Sequence, residues 1–408
     1  MRRDLAGRLK RLKDAQAATG QRGRSSRKGS SREAGSSAGG VDTGTSGLVP
    51  TGLDGWENPA PFVYRRTIEV RLHDAAADHP AVCGADSFHS HLLAREVSPD
   101  ELLYLDTETT GLSGGAGTTV FLTGAGRCSR GAIQVTQILM ADFPGEPDYL
   151  LQVLDAVGND RSWVSYNGKA FDSRLLEGRF LMNGISFARP EQVDLLYPTR
   201  RLYREYLDDC SLGTVEEAVL SVARGHDIPG MEIPNRYFDF LRSGDASKLS
   251  DVFQHHLQDI VSLVLLFVHL ERVLDAPRAA TGVDRLQLAR WLLDLGRADG
   301  IDLLSDVLYS PRAEEDTEKQ CRAGVLLGTT RRRNDDLVGA EDAWRTATRL
   351  GSIPAAIELA KLYEHRLRDL DAARAVLAEI IHEFPSLKSD PSVQRRTARI
   401  EGKRRPRP

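Results

Sequence analysis

The stretch Leu102–Leu112, LLYLDTETTGL, limits the folds open to this 408-residue chain more than any other. Its first four residues form an apolar run, and side chains on a strand repeat every second residue, so Asp106 and Glu108 share one face. Two carboxylates side by side at the end of a core strand are costly to bury unless a cation lies between them. Hard oxygen donors of this kind select Mg²⁺ or Mn²⁺. An Asp-x-Glu pair on a surface strand would carry no such message. This pair follows Leu-Leu-Tyr-Leu and precedes Thr-Thr-Gly, which puts it where a buried strand emerges.

The neighbouring segments extend that strand into a sheet. TTVFLTGAG and AIQVTQILM follow at short intervals, the second alternating at Ile133, Val135 and Gln137, and three such strands in succession predict an antiparallel meander. A helix over about 148–157, a strand at 163–166, a helix over about 171–182 and a strand at 193–196 then alternate. That alternation predicts a mixed sheet covered on both faces. A long helix over roughly 249–274 carries Val261, Leu263, Val264, Leu265 and Val268 and is expected to lie on the sheet. Order is expected from Trp56 onward. From about Thr281 the pattern is helical alone. Ala340, Ala343, Trp344 and Ala347 sit one and two turns apart, and the spacing recurs from Ala356 and again from Ala373. The first and third sets begin 33 residues apart, close to the tetratricopeptide period, with generic helical hairpins as the alternative.

Two further acids stand in segments that are ambiguous alone. In VSYNGKAFDSRLL the chain passes from strand to helix, and Asp172 taken alone reads first as a helix N-terminal acid, with a ligand as the alternative. In FQHHLQDIVSLVLL, Asp259 opens the apolar stretch of the long helix with His255 one turn before it on the same face. Such a pair can supply a metal ligand and a proton carrier together, or be a surface His–Asp pair. The glycines at 111, 114, 115 and 117 have neither a Gly-Lys-Ser/Thr ending nor a G-x-G-x-x-G pattern, so they are expected to form a turn rather than cradle a phosphate.

Taken together and in this order, LDTETTGL, NGKAFD and HHLQD resemble the motifs of the DEDD superfamily of exonucleases and related ribonuclease H-like enzymes. VDLLYPTRRLY, DDCSLGTVEEAVL, DIPGMEIPNRYFDFLRSGD and HHLQDIVSL are similar to ribonuclease H-like proteins of the YprB kind. The resemblance covers roughly residues 55–275 and implies an α/β fold, a ribonuclease H-like mixed sheet flanked by helices. The expected organisation is a disordered basic tail over 1–50, a ribonuclease H-like domain over 51–278, a tetratricopeptide-like helical-hairpin domain over 281–388, and a basic tail over 389–408.

The resemblance further implies that Asp106, Glu108, Asp172 and Asp259 hold two Mg²⁺ or Mn²⁺ ions. With ions about 3.5–4 Å apart, such a site hydrolyses phosphodiester bonds of DNA or RNA, here in the manner of a 3′–5′ exonuclease. His255 stands where one branch of the superfamily has a tyrosine, four residues before the last acid. The other branch has a histidine five residues before it, and that position here is Gln254. This departure leaves the proton carrier open between His255 and His256. Asp194 either supports the ligands from behind or merely ends its strand. Thr107, Asn167, Phe171, Arg200 and Arg201 are the candidate substrate contacts, and for the arginines, clustered with Arg204, a solvated helix face is the alternative.

The net charge of −4 is unevenly spread. Residues 1–40 hold 11 Lys/Arg against 3 acids and residues 394–408 hold 7 against 1, which leaves 36 basic and 54 acidic side chains in the body. Such a body does not attract phosphates by bulk charge; a metal-loaded site and basic tails would. Cys83, Cys128, Cys210 and Cys321 form no CxxC pair, which fits reduced thiols in a cytoplasmic protein. No apolar run long enough to span a membrane is present, and no apolar stretch follows the basic N-terminus. The expected partners are a nucleic acid and a protein bound through the C-terminal helices, with no membrane. The competing readings are a non-catalytic nucleic-acid or protein-binding scaffold and a phosphodiesterase acting on small nucleotides.

Overall fold

The computed structural model describes residues 50–72, 78–111, 117–158, 161–225, 228–311 and 316–404. The expected basic tail before residue 50, most of the glycine turn (112–116) and residues 405–408 lie outside these.

The strand ending in Asp106 and Glu108, β5 (Leu102–Thr109), lies inside a seven-stranded sheet ordered β1-β2-β7-β6-β5-β8-β9. The expected meander is present: β5 pairs antiparallel with β6 (Val120–Ser129), which pairs antiparallel with β7 (Ala132–Met140). On its other side β5 runs parallel to β8 (Ser162–Ser165), which runs parallel to β9 (Gln192–Asp194). The strands β1 (Glu57–Ala60) and β2 (Val63–Arg71) complete the far edge, β2 pairing with β7 along its whole length. Sequence patterning did not single them out, because Arg65, Arg66, Glu69 and Arg71 give β2 the look of a solvated segment. A small ribbon, β3 (Phe88–Ser90) and β4 (Arg95–Val97), stands apart from the sheet.

Both faces of the sheet are covered. One carries α2 (Glu146–Val157), α3 (Asp172–Met182) and α6 (Ile233–Ser243), packed on Leu103, Leu105, Phe121 and Leu139. The other carries the 26-residue α7 (Ser250–Asp275) on Leu102, Tyr104, Ile133 and Val135. Alternation along β5 divides its side chains between these two layers. The short helices α1 (Pro80–Cys83), α4 (Leu196–Tyr203) and α5 (Leu212–Ala218) fill the ends.

The seat of α7 is set by two glycines. A Cβ on Gly124 would stand 2.5 Å from His256 Cε1, and one on Gly126 would stand 2.5 Å from Ile260 Cγ2. Gly124 is the β-ladder partner of both Asp106 and Gln137. Only a bare backbone on β6 lets the helix come this close to the end of β5.

Beyond α7 the chain is a run of helices: α8 (Arg285–Asp294), α9 (Asp299–Tyr309), α10 (Thr317–Arg333), α11 (Leu337–Arg349), α12 (Ile353–Leu362), α13 (Leu370–Glu383) and α14 (Pro391–Arg404). The apolar core continues from α7 into them without a break, through Val283, Leu286 and Leu303 to Ile380 and Ile400. Lys319 on α10 joins Glu205 at 2.6 Å and Asp284 at 3.5 Å, which fastens the helices to the sheet-bearing part. Among the described residues no helix is long and apolar enough to cross a membrane.

One expectation is corrected here. Much of the basic tail expected over 389–408 is α14. Val393 and Ile400, two turns apart, are fully buried, and Arg396, Arg399 and Lys403 all grip the buried carboxylate of Glu364. The charge run hid a two-residue apolar stripe.

Gly124→Ala is therefore expected to push α7 off β6 and lower stability by about 1–3 kcal/mol, as overpacked cores do. Gly178→Ala is the control: it lies inside α3 with open space where a Cβ would go, so it should be neutral or raise stability by up to about 1 kcal/mol. Urea unfolding midpoints of both variants check the contrast, and equal effects would show that the close approach is not a constraint.

Candidate active site

Asp106 leaves β5 on the α7 face. Its main-chain carbonyl accepts from His256 Nε2 at 3.2 Å, and the same nitrogen lies 3.8 Å from its Oδ2. The hydrogen-bond chain behind His256 assigns each proton. Arg66 donates to Gln137 Oε1 from Nε at 2.8 Å and from Nη2 at 2.6 Å, which fixes the orientation of that amide. Gln137 Nε2 then donates to Phe253 O at 3.0 Å and to His256 Nδ1 at 2.9 Å. With Nδ1 accepting, Nε2 carries the hydrogen and donates to Asp106. His256 is fully buried, which lowers its pKa to about 3 and keeps the ring neutral. Its ring positions Asp106 and has no route to a second proton near neutral pH.

Glu108 lies two residues along the same face, and α7 brings His255 and Asp259 to it. Ligand-capable atoms of Glu108, His255 and Asp259 lie within 4.8 Å of one another. His255 Nε2 is 3.3 Å from Asp259 Oδ2 and 4.0 Å from Glu108 Oε1. All three side chains are nearly enclosed, with only 12–13% of each exposed.

A fourth group reaches in from the loop after α5. Arg224 is forked onto the fully buried Glu216 and its Nη2 also contacts Asp259 Oδ1. Its Nη1 lies 3.1 Å from His255 Nδ1, and a guanidinium can only donate, so in this arrangement the imidazole hydrogen is on Nε2, facing Asp259.

Asp172, at the start of α3, approaches from the opposite layer, where Thr107 Oγ1 donates to its Oδ1. It is not part of the Glu108–His255–Asp259 group, yet its charge is felt at Asp106. Burial, then Asp259, Asp172 and Glu108 in turn, push the Asp106 carboxyl well above the usual range. Burial raises Asp172 to about 6 and raises Asp259 as well. Asp194 proves to be a fastening for the loop that delivers Asp172: it accepts from the backbone N–H groups of Asn167 (2.8 Å), Lys169 (3.1 Å) and Leu196 (3.1 Å). Asn167 is exposed and held at φ 63°, and Phe171 is half-buried at the head of α3.

Residues 103–271 match the model of the RNase_H superfamily. The chain is also 31% identical over 329 residues to the uncharacterized protein YprB of Bacillus subtilis (strain 168), covering 77% of this chain and 78% of that relative. The chain belongs to the YprB family of ribonuclease H-like proteins. The superfamily match runs from within β5 into α7 and so includes Asp106, Glu108, Asp172 and Asp259.

The two arginines expected at substrate phosphates part company in this YprB-family protein. Arg200 is exposed on α4, whereas Arg201 is held by Asp294 at 2.6 Å and lies 5.6 Å from the Trp291 ring, against the helical part. Sequence reasoning missed Arg224, Glu216, Gln137 and Arg66. Arg224 sits in a loop without periodicity. Gln137, however, interrupts the alternation of β7 with a fully buried amide, and that irregularity was a readable signal.

A carboxyl with a raised pKa binds its proton more tightly folded than unfolded, so its contribution to stability falls as pH rises. For Asp172 the window runs from about 4 to about 6. With chelator present, Asp172→Asn, which keeps an oxygen for Thr107, should match wild type near pH 4 and exceed it by roughly 2 kcal/mol at pH 7. Thermal unfolding at both pH values checks this. A variant no more stable than wild type at pH 7 would show that the carboxyl is not strained there.

Proposed function

We propose that this protein is a metal-dependent nuclease that hydrolyses phosphodiester bonds of DNA or RNA, acting from a 3′ end. The observation that carries the reading is the meeting of Glu108, at the end of a core strand, with His255 and Asp259 from a helix about 150 residues away in sequence, while Asp106, two residues earlier on the same face, is held by His256 of that helix. Among the described residues, the sole cation-capable group within 4 Å of the Asp106 carboxylate is the neutral His256. A half-buried carboxylate that feels three others and has no charged positive partner among the described residues fits a divalent cation, and the mostly oxygen donor set fits Mg²⁺ or Mn²⁺.

Asp106, Glu108, Asp172 and Asp259 would hold two such ions, which when bound supply charge neutralisation and acidify a water. The chain's own residues do the rest. The Arg66–Gln137–His256 chain fixes the backbone under Asp106, and the walls from β5 and α7 exclude bulk water. His255, with its single hydrogen on Nε2 facing Asp259, holds that carboxylate in place beside Glu108. It could accept a proton only if Arg224 released Nδ1. Thr107, Asn167, Phe171 and Arg200 are read as the substrate contacts, Phe171 offering a ring for base stacking.

One observation favours the non-catalytic scaffold reading: Arg224 shares Asp259 with any cation that would bind there. We further read residues 281–388 as a tetratricopeptide-like domain, supported by the 33-residue offset between the starts of α11 and α13. The four unpaired cysteines agree with a cytoplasmic setting.

End-labelled DNA and RNA oligonucleotides incubated with Mn²⁺ should be shortened to a ladder from the 3′ end, and EDTA should stop the reaction. Asp106→Asn and Asp259→Asn should each lower the rate by more than the roughly 10–100-fold that outer partners of a metal ligand are worth. If either variant cuts as fast as wild type, the scaffold reading replaces this one.

A further inference from the structure

A sizeable cavity lies among the C-terminal helices, lined by none of the acidic-site residues. It is a groove of about 840 Å³ between α8, α10 and the start of α12. Its floor is aliphatic, with Leu286 from α8, Val325 and Leu326 from α10, and Ile353 from α12. It continues along α12 past Ile357.

The charges at its edge are not balanced. Arg322 is neutralised by Glu318 one turn away at 2.6 Å, and Arg332 lies 3.4 Å from Glu358. Arg290 on α8 and Arg333 on α10 are different. Both are exposed, both line this groove and the adjoining cavity around Gly296 and Asn334, and neither has an ion-pair partner among the described residues. In a chain of net charge −4, two unneutralised guanidinium groups beside an aliphatic trough are a local excess of positive charge.

We infer that this groove docks an acidic, amphipathic peptide segment of a partner protein, its aliphatic side chains on the Leu286–Val325–Ile353 floor and its carboxylates on Arg290 and Arg333. Arginine forks suit carboxylates, and the surrounding aliphatics raise the worth of each pair by excluding water. A single-stranded nucleic acid is the poorer occupant. Bases are held by stacking on aromatic rings, and none of the described residues lining the groove is aromatic. Docking here is independent of the nuclease reading, since no lining residue belongs to the acidic site.

The test is selection of a random twelve-residue peptide library displayed on phage against the full chain, followed by fluorescence anisotropy of the recovered peptides. Recovered sequences should combine Leu, Ile, Val or Phe with Asp and Glu. Arg290→Glu with Arg333→Glu should weaken their binding by about tenfold or more, because opposed rim charges become like charges. Both positions are exposed, so the melting temperature should hold, and a thermal scan of the double variant confirms that its fold is intact. No enrichment, enrichment of basic sequences, unchanged affinity in the intact double variant, or displacement of the peptides by a dT12 oligonucleotide would each overturn the proposal.

Discussion

The approach of α7 to the sheet governs everything at the acidic site. His255, His256 and Asp259 are all on that helix, and none could reach β5 if β6 carried side chains at positions 124 and 126. A helix packing on an ordinary strand stands about 10 Å off, with two layers of side chains between them. Here the His256 ring lies directly over the Gly124 backbone and bonds to the carbonyl of Asp106 on the next strand. Packing thus decides which carboxylates meet, and the hydrogen-bond chain from Arg66 through Gln137 decides how they are held.

That arrangement sets stability against chemistry. Burial raises the proton affinity of Asp106, Asp172 and Asp259 together, so without a cation their contribution to stability falls as pH rises, for Asp172 between about 4 and about 6. The protein offsets part of this locally: Arg224, itself anchored by the buried Glu216, neutralises Asp259. Among the described residues nothing comparable neutralises Asp106, whose nearest basic group there is a histidine kept neutral by burial. Elsewhere the chain handles buried acids conventionally. Glu364 takes three cations from α14, and Glu271 accepts from Ser90 and from the backbone of His91 and Leu92, tying the β3–β4 ribbon to α7. The contrast singles out the end of β5 as the place where negative charge is left uncompensated.

How much of this was legible in the sequence follows from what each feature depends on. The β5–β7 meander, the α3 helix and the length of α7 are encoded by periodicities of two or 3.6 within single segments, and they could be read directly. Asp106 and Glu108 announced themselves because alternation forces them onto one face. Asp172 and Asp259 were ambiguous until their segments were considered jointly. Features that depend on contacts between distant segments could not be read. Arg201 looked like part of a phosphate-binding cluster, because its partner Asp294 lies 93 residues away. Gly124 and Gly126 carried no signal of their own within TTVFLTGAG, since the helix that needs them comes more than a hundred residues later. Charge misled twice, concealing a strand in β2 and, in α14, a helix docked through Val393 and Ile400.

The central claim is that the carboxylates gathered by β5, α3 and α7 share divalent cations. Crystals soaked in MnCl2, with diffraction collected at the manganese absorption edge, test it without reference to any substrate. Anomalous-difference peaks are expected within about 2.0–2.3 Å of carboxylate oxygens of Asp106 and Asp259. Asp172 is expected to turn from Thr107 toward one of the ions. Peaks confined to the molecular surface, with Asp106 and Asp259 unligated, would contradict it.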